Sequence, residues 1–349
     1  MCCPPPLAED LDHVLSNTVG VWDDLRESRL FITGGTGFVG SWLLESLAWA
    51  NEHLGLSASA LVLTRDRDAF RNKAPHLADH PAIGFHTGDV RDFSFPPGEF
   101  THVIHAAATS ARATFNQENP LVKFDTVVQG TRRTLDFAVK CRAKKLLFTS
   151  SGAVYGRPPS DLTHIPEEYC GAPDPSSVRS AWGEAKRAAE FLCAYYSAAF
   201  GVETKIARCF SFVGPYLELD IHYAIGNFIR DAINGGPVLV RGDGCPWRSY
   251  LYAADMVIWL WKILTHGSSC LPYNVGSEAG LAIAELARVV ARLAGPGIEC
   301  AVSTSSVDPS AAIDRYVPST RRARTGLRLE QTIGLEQAIQ RTMAFLRSR

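Results

Sequence analysis

The stretch Arg29-Leu-Phe-Ile-Thr-Gly-Gly-Thr-Gly-Phe-Val-Gly40 constrains this chain more than any other: an apolar run breaks into glycines and resumes as an apolar helix from Ser41 to Ala50. A chain that leaves a buried strand, turns at once and packs a new helix back on the sheet favours residues without Cβ at the turn and at the closest approaches. Gly34, Gly37 and Gly40 have that spacing. The helix behind them, entered through Phe38 and Val39, offers unpaired N–H groups and the positive end of its dipole to a phosphate. The spacing is G-x-x-G-x-x-G and no Gly-Lys-Ser/Thr follows. That pattern disfavours a nucleoside-triphosphate loop and favours a nicotinamide dinucleotide.

Apolar runs at 60–64, 82–86, 102–108, 145–149 and 204–210 continue the strands, and helical patterns over 121–140 and 180–200 separate the later ones. The rhythm predicts an α/β fold, a Rossmann-type doubly wound parallel sheet, followed by a smaller C-terminal substrate lobe. The expected divisions are a helical appendage over 1–28, a dinucleotide-binding domain over 29–212 and a substrate-binding lobe over 213–349 that interleaves with it. Ligands in such sheets lie beyond the carboxyl ends of the strands. Ser150, Ser151, Gly152 and Ala153 follow the fifth strand and are expected to line the site. Ala106 and Ala107 end the fourth strand and let the backbone approach a flat cofactor, and the loop at Asp89 and Val90 is placed to close over an adenine. At the end of the second strand Thr64-Arg65 stands where an acid would read a free ribose 2′-hydroxyl. Arg65 therefore favours NADP(H), with NAD as the alternative.

Composition narrows the partners. The 35 basic and 36 acidic residues leave a formal charge of −1, which gives no bulk attraction for nucleic acid or an anionic membrane. Nine cysteines are scattered apart from Cys2-Cys3, without zinc spacing, as suits a reducing compartment. His102 and His105 fall on opposite faces of one strand, and His76 and His80 lie in a proline-bounded stretch expected to be a loop, so no metal site is expected. The N-terminus lacks the pattern of a secretory leader and no apolar run of about 18 residues occurs. A cytoplasmic protein with no membrane partner is the expectation.

Taken together, Gly34-x-x-Gly37-x-x-Gly40, Gly88-Asp89-Val90, His105-Ala-Ala-Ala108, Ser150-Ser151-Gly-Ala-Val-Tyr-Gly156, the helix carrying Lys186, Arg248-Ser-Tyr-Leu-Tyr252 and Tyr273-Asn-Val-Gly276 resemble the extended short-chain dehydrogenase/reductase family. Its members include NAD(P)-dependent epimerases and dehydratases of nucleotide sugars. The resemblance implies that Ser151 hydrogen-bonds the reacting sugar oxygen and that Lys186 holds the nicotinamide ribose and lowers a tyrosine's pKa. It also implies that Arg248 grips the sugar nucleotide's diphosphate with Asn227 nearby, and that the helices over 121–140 and 181–200 pair with their mates in a homodimer.

The chain departs from the pattern where the chemistry is. The tyrosine four residues before Lys186 is replaced by Trp182, whose indole N–H donates a hydrogen bond but does not exchange a proton near neutral pH. Gly152 and Ala153 stand where the family's dehydratases carry an acid pair and its decarboxylases a glutamate. Two readings follow: an epimerase or ketoreductase with another proton donor, Tyr155 and Tyr169 being candidates, or a cofactor- and sugar-nucleotide-binding protein that has lost its chemistry.

Overall fold

The computed structural model describes residues 5–109, 118–221, 223–303 and 314–348, so Cys2-Cys3 lies outside the described residues. The chain divides into two compact units, one of Met1–Gly156, Ala172–Cys209 and Val257–Tyr273, the other of Arg157–Gly171, Phe210–Met256 and Asn274–Arg349.

The first unit is built on β1 (Arg29–Thr33), β2 (Ser59–Thr64), β3 (Ile83–Thr87), β4 (His102–His105), β5 (Lys145–Ser151) and β6 (Glu203–Cys209). These six strands pair in parallel in the order β6-β5-β4-β1-β2-β3, and Pro272–Val275 adds a seventh strand beside β6. The order reverses between β1 and β4, which is where an open parallel sheet leaves a crevice at its carboxyl edge. β1 buries every residue after Arg29, as a strand covered on both faces must. Behind it Phe31 stacks on Phe93, meets Phe100 edge-on and lies tilted against Phe137, at centroid distances of 5.4, 5.7 and 4.5 Å.

The leader residues are integral to this unit. Helices α1 (Pro5–Asn17) and α2 (Val21–Leu25) bury Leu7, Leu11, Val14, Val21 and Leu25 completely, and Trp22 packs on Trp261 at 5.4 Å. An amphipathic stripe of that width has to be covered, and the sheet's helical layer covers it. Helix α3 (Phe38–Leu54) follows the glycine loop, α4 (Arg67–Lys73) and α5 (Pro75–Ala78) follow β2, α6 (Pro120–Lys140) precedes β5, and α7 (Ala181–Phe200) precedes β6. The stretch holding His76 is thus a short helix and not a loop: Pro75 opens it at the position where a missing N–H costs nothing. His76 Nε2 donates to Glu45 Oε1 at 2.8 Å, and no metal-ligand cluster occurs among the described residues.

In the second unit the helices Ala224–Ile233 and Ile283–Ala294 pack against a parallel pair of short strands, Val238–Val240 and Cys300–Val302, and the helix Leu335–Arg347 packs against both of those helices. Buried Asp255 accepts from the backbone N–H groups of Thr332 and Ile333 at 3.0 and 2.9 Å, and buried Asn274 donates to the carbonyls of Ile165 and Ser319. Among the described residues no helix is long and apolar enough to cross a membrane.

Candidate active site

Close packing at two positions of the glycine loop excludes a side chain. Gly34 turns the chain with φ +72°, and a Cβ there would meet the backbone of Ala106 and Ala107 at 2.5 Å. A Cβ at Gly40 would overlap the backbone of Gly34 and Gly35. Gly37 caps α3 in an extended conformation, which brings the N-terminal end of the helix at Phe38, Val39 and Gly40, the end that favours an anion, up to the loop. The cradle fits a dinucleotide pyrophosphate because bare backbone and a helix N-terminus meet where side chains would close the space.

At the end of β2 the first acid is already engaged. Asp66 caps α4, its Oδ1 accepting from Ala69 N at 2.9 Å, while Arg65 is exposed. Lys73 reaches from the end of α4 to donate to the carbonyl of Thr36 in the glycine loop at 3.1 Å. This second cation at the loop was missed in the sequence, since nothing local ties residue 73 to residue 36. Asp89 is bound by its neighbour Arg91, whose Nε lies 2.8 Å from Oδ1; these hydrogen bonds hold the carboxyl below the usual carboxylate range. Val90 packs against Gly130 on α6, where a Cβ would come within 2.9 Å of it.

At the end of β5 three of the named residues come together. Trp182 Nε1 donates to Ser151 Oγ at 3.3 Å, and the Ala153 backbone N–H donates to the same oxygen at 3.1 Å. Lys186, 2% exposed, donates to the carbonyl of Thr149 at 2.6 Å and lies 4.6 Å from the Phe148 ring and 5.0 Å from the Trp182 ring. Burial pulls its ammonium down to about 8, with Cys209 and Glu190 opposing. Behind it His105 is enclosed, Nδ1 at 2.7 Å from Thr33 Oγ1 and Nε2 at 3.0 Å from Thr131 Oγ1. Burial, reinforced by Lys186, lowers this imidazole to about 3, so it is neutral.

Tyr155 is 1% exposed with the Arg208 guanidinium 4.7 Å over its ring. Burial opposes the charge on Arg208, but its hydrogen bonds to the Glu190 carboxylate prevail and hold its pKa above the ordinary value. Tyr169 belongs to the second unit and is half-buried. Glu190 and Arg208 were not read from the sequence; the available signal was that Glu190 lies one helical turn beyond Lys186, on the same face.

The remaining named residues lie in the second unit. Arg248 donates to Asp314 Oδ2 at 2.6 Å and to the carbonyls of Trp247 and Asp314 at 2.8 and 3.1 Å. Asn227 Oδ1 accepts from Arg230 at 3.2 Å.

A family model described as the NAD dependent epimerase/dehydratase family matches residues 30–276. UDP-glucuronic acid decarboxylase 5 of Arabidopsis thaliana is 33% identical over 281 residues, covering 80% of this chain and 79% of that protein. UDP-glucuronic acid decarboxylase 1 of Xenopus tropicalis is 29% identical over 320 residues, covering 91% and 72%. Among solved structures, a UDP-glucose 4-epimerase from Thermotoga maritima, crystallised with UDP-glucose, matches with a TM-score of 0.76 at 20% identity, covering 92% of this chain and 99% of that one.

Proposed function

This chain belongs to the NAD dependent epimerase/dehydratase family, a family of enzymes, and we propose that it moves hydride to or from one ring carbon of a nucleoside-diphosphate sugar, as an epimerase or ketoreductase. The observation that carries this reading is the retention of Ser151 and a buried, desolvated Lys186 on either side of Trp182. A nicotinamide dinucleotide supplies the hydride acceptor and donor when bound. Gly34, Gly37 and Gly40 with the first turn of α3 hold its phosphates, Lys186 its ribose, and Ala106, Ala107, Asp89 and Val90 its flat rings. Ser151 orients the reacting sugar oxygen, and Arg248 with Asn227 takes the diphosphate.

A uridine-diphosphate sugar is the class to test first, because the relatives are named for UDP-glucuronic acid. Decarboxylation is disfavoured, since Gly152 and Ala153 put neither acid nor base beside Ser151. Arg65, with Asp66 committed to its cap, supports NADP(H) over NAD. Homodimer formation through α6 and α7 is supported by Leu121, Phe191 and Tyr195, which are 70%, 69% and 53% exposed.

The test is native mass spectrometry of the purified protein for a co-purified dinucleotide, followed by titration with NADP, NAD and UDP-glucose. NADP binding weakened at least tenfold in Arg65→Ala supports the reading. Binding of NAD as tightly as NADP, unchanged in that variant, removes the NADP preference. Tight binding of cofactor and UDP-sugars without turnover of any favours a binding protein.

A further inference from the structure

Ser151 Oγ accepts two N–H hydrogen bonds, from Ala153 N at 3.1 Å and from Trp182 Nε1 at 3.3 Å, and among the described residues it donates to none. A hydroxyl has one proton and two lone pairs, so both acceptor sites are filled and the O–H is left pointing away from the protein's own partners. Two N–H groups aimed at one oxygen are the arrangement that stabilises an anion on that oxygen, because hydrogen bonds to the charged form favour it. Ser151 is 8% exposed, so water competes weakly for those donors. The backbone donor belongs to the short 3-10 turn that Ser151 itself caps; the indole donor is specific to a tryptophan at position 182.

Resting on the hydride-transfer reading above, we propose that Ser151 is the acid/base of this site, taking the place of the absent phenol, and that Trp182 is a positioning residue whose N–H makes Ser151 a stronger acid. In oxidation of a sugar alcohol the Ser151 alkoxide takes the hydroxyl proton, the O–H bond breaks, the carbon–oxygen double bond forms, and the C–H electron pair departs as hydride. In reduction of a keto sugar Ser151 gives its proton to the carbonyl oxygen as hydride arrives at carbon. Between turnovers Ser151 exchanges its proton with water. The Lys186 ammonium, one turn along the helix from Trp182, adds a positive field on the same side. A tryptophan here is then a working part of an altered acid/base pair and not a plug.

The test needs a readout that does not depend on the sugar. Phenylmethylsulfonyl fluoride reports serine alkoxide character: Oγ attacks sulfur, fluoride leaves, and the serine proton passes to water. Wild type is expected to be sulfonylated at Ser151, located by peptide mass spectrometry, at least tenfold faster than Trp182→Phe, which keeps an aromatic ring and removes the N–H. The rate should rise with pH in wild type and the rise should move to higher pH in the variant. Ser151→Thr keeps a hydroxyl with the same two donors and is expected to retain hydride transfer within about tenfold, whereas Ser151→Ala loses it by about 10²-fold or more. With NADP or NAD, whichever binds more tightly, and UDP-glucose or UDP-glucuronic acid, Trp182→Phe should lower kcat by about 10²-fold with cofactor affinity within about threefold. Equal labelling of wild type and Trp182→Phe, both shown folded by their melting curves, overturns the proposal, as does turnover that survives Ser151→Ala. Failure of wild type to bind either dinucleotide overturns the hydride-transfer reading instead, and the labelling comparison still reports on Ser151 alone.

Discussion

Arg208 and Glu190 form a two-pronged ion pair, Nε to Oε1 at 3.0 Å and Nη2 to Oε2 at 2.7 Å, with 14% of each side chain exposed. Ser150 donates to the same carboxylate at 2.5 Å. The helix that carries Trp182 and Lys186 is thereby tied to the end of β5, one residue before Ser151, and to β6 beyond it. The relative placement of Ser151, Trp182 and Lys186 depends on this clasp.

Breaking a largely buried pair leaves an uncompensated charge, which costs more than the pair contributes when whole. Glu190→Ala is therefore expected to destabilise the protein by about 3–5 kcal/mol in urea unfolding. Glu190→Leu combined with Arg208→Met should lose distinctly less than the two single changes added together. Additive losses would show that the two groups are not coupled.

Restoring the phenol at position 182 should speed hydride transfer. A phenol is a stronger acid than an alcohol, so Trp182→Tyr is expected to raise turnover of a suitable UDP-sugar by about tenfold beyond what Ser151 supplies, with little change in cofactor affinity. Adding Lys186→Ala should remove most of the gain, because the lysine lowers the phenol's pKa. A Tyr variant no faster than the parent, with the same pH profile, would show that the proton already has an equally good carrier.

His105 makes folding sensitive to acid. Its folded value, about 3, lies below the ordinary 6.5. Above pH 6.5 the ring is neutral in both states and its contribution to stability is fully present. As pH falls through that value the unfolded chain takes up a proton that the folded chain refuses, and stability is lost progressively down toward pH 3, by roughly 5 kcal/mol at most. His102, lowered to about 4 by burial and Lys145, acts in the same sense over a narrower window. Urea midpoints measured from pH 7 to pH 4 should fall less steeply in His105→Gln than in wild type. Parallel curves would count against it.

The exposed apolar residues on α6 and α7 are expected to be covered by a second copy of the chain. Phe191→Glu with Leu121→Asp should convert a dimeric mass to a monomeric one by light scattering at micromolar concentration, with the far-UV spectrum unchanged. A wild-type monomer at that concentration would remove the proposal.

Much of this architecture can be read from contiguous residues, because strand and helix periodicity and the need for missing Cβ atoms are local properties. The Gly34–Gly40 loop, the parallel strands, and the placement of Ser151 at the carboxyl end of β5, which runs two residues further than the apolar run 145–149, and of Trp182 and Lys186 one turn apart on α7 follow from spacing. What spacing could not specify is which distant groups meet. Thr33, His105 and Thr131 come from two neighbouring strands and a helix and join only when the sheet is assembled. Lys73 finds the glycine loop across 37 residues, and Ser150, Glu190 and Arg208 close their clasp from three elements. Asp66 shows the same limit at short range: an acid after β2 can read a ribose or cap a helix, and the direction in which α4 leaves the sheet selects the cap. The hydrogen bond from Trp182 to Ser151 spans 31 residues and is likewise a product of packing, which sets the orientation of the indole where sequence shows only that a phenol is gone.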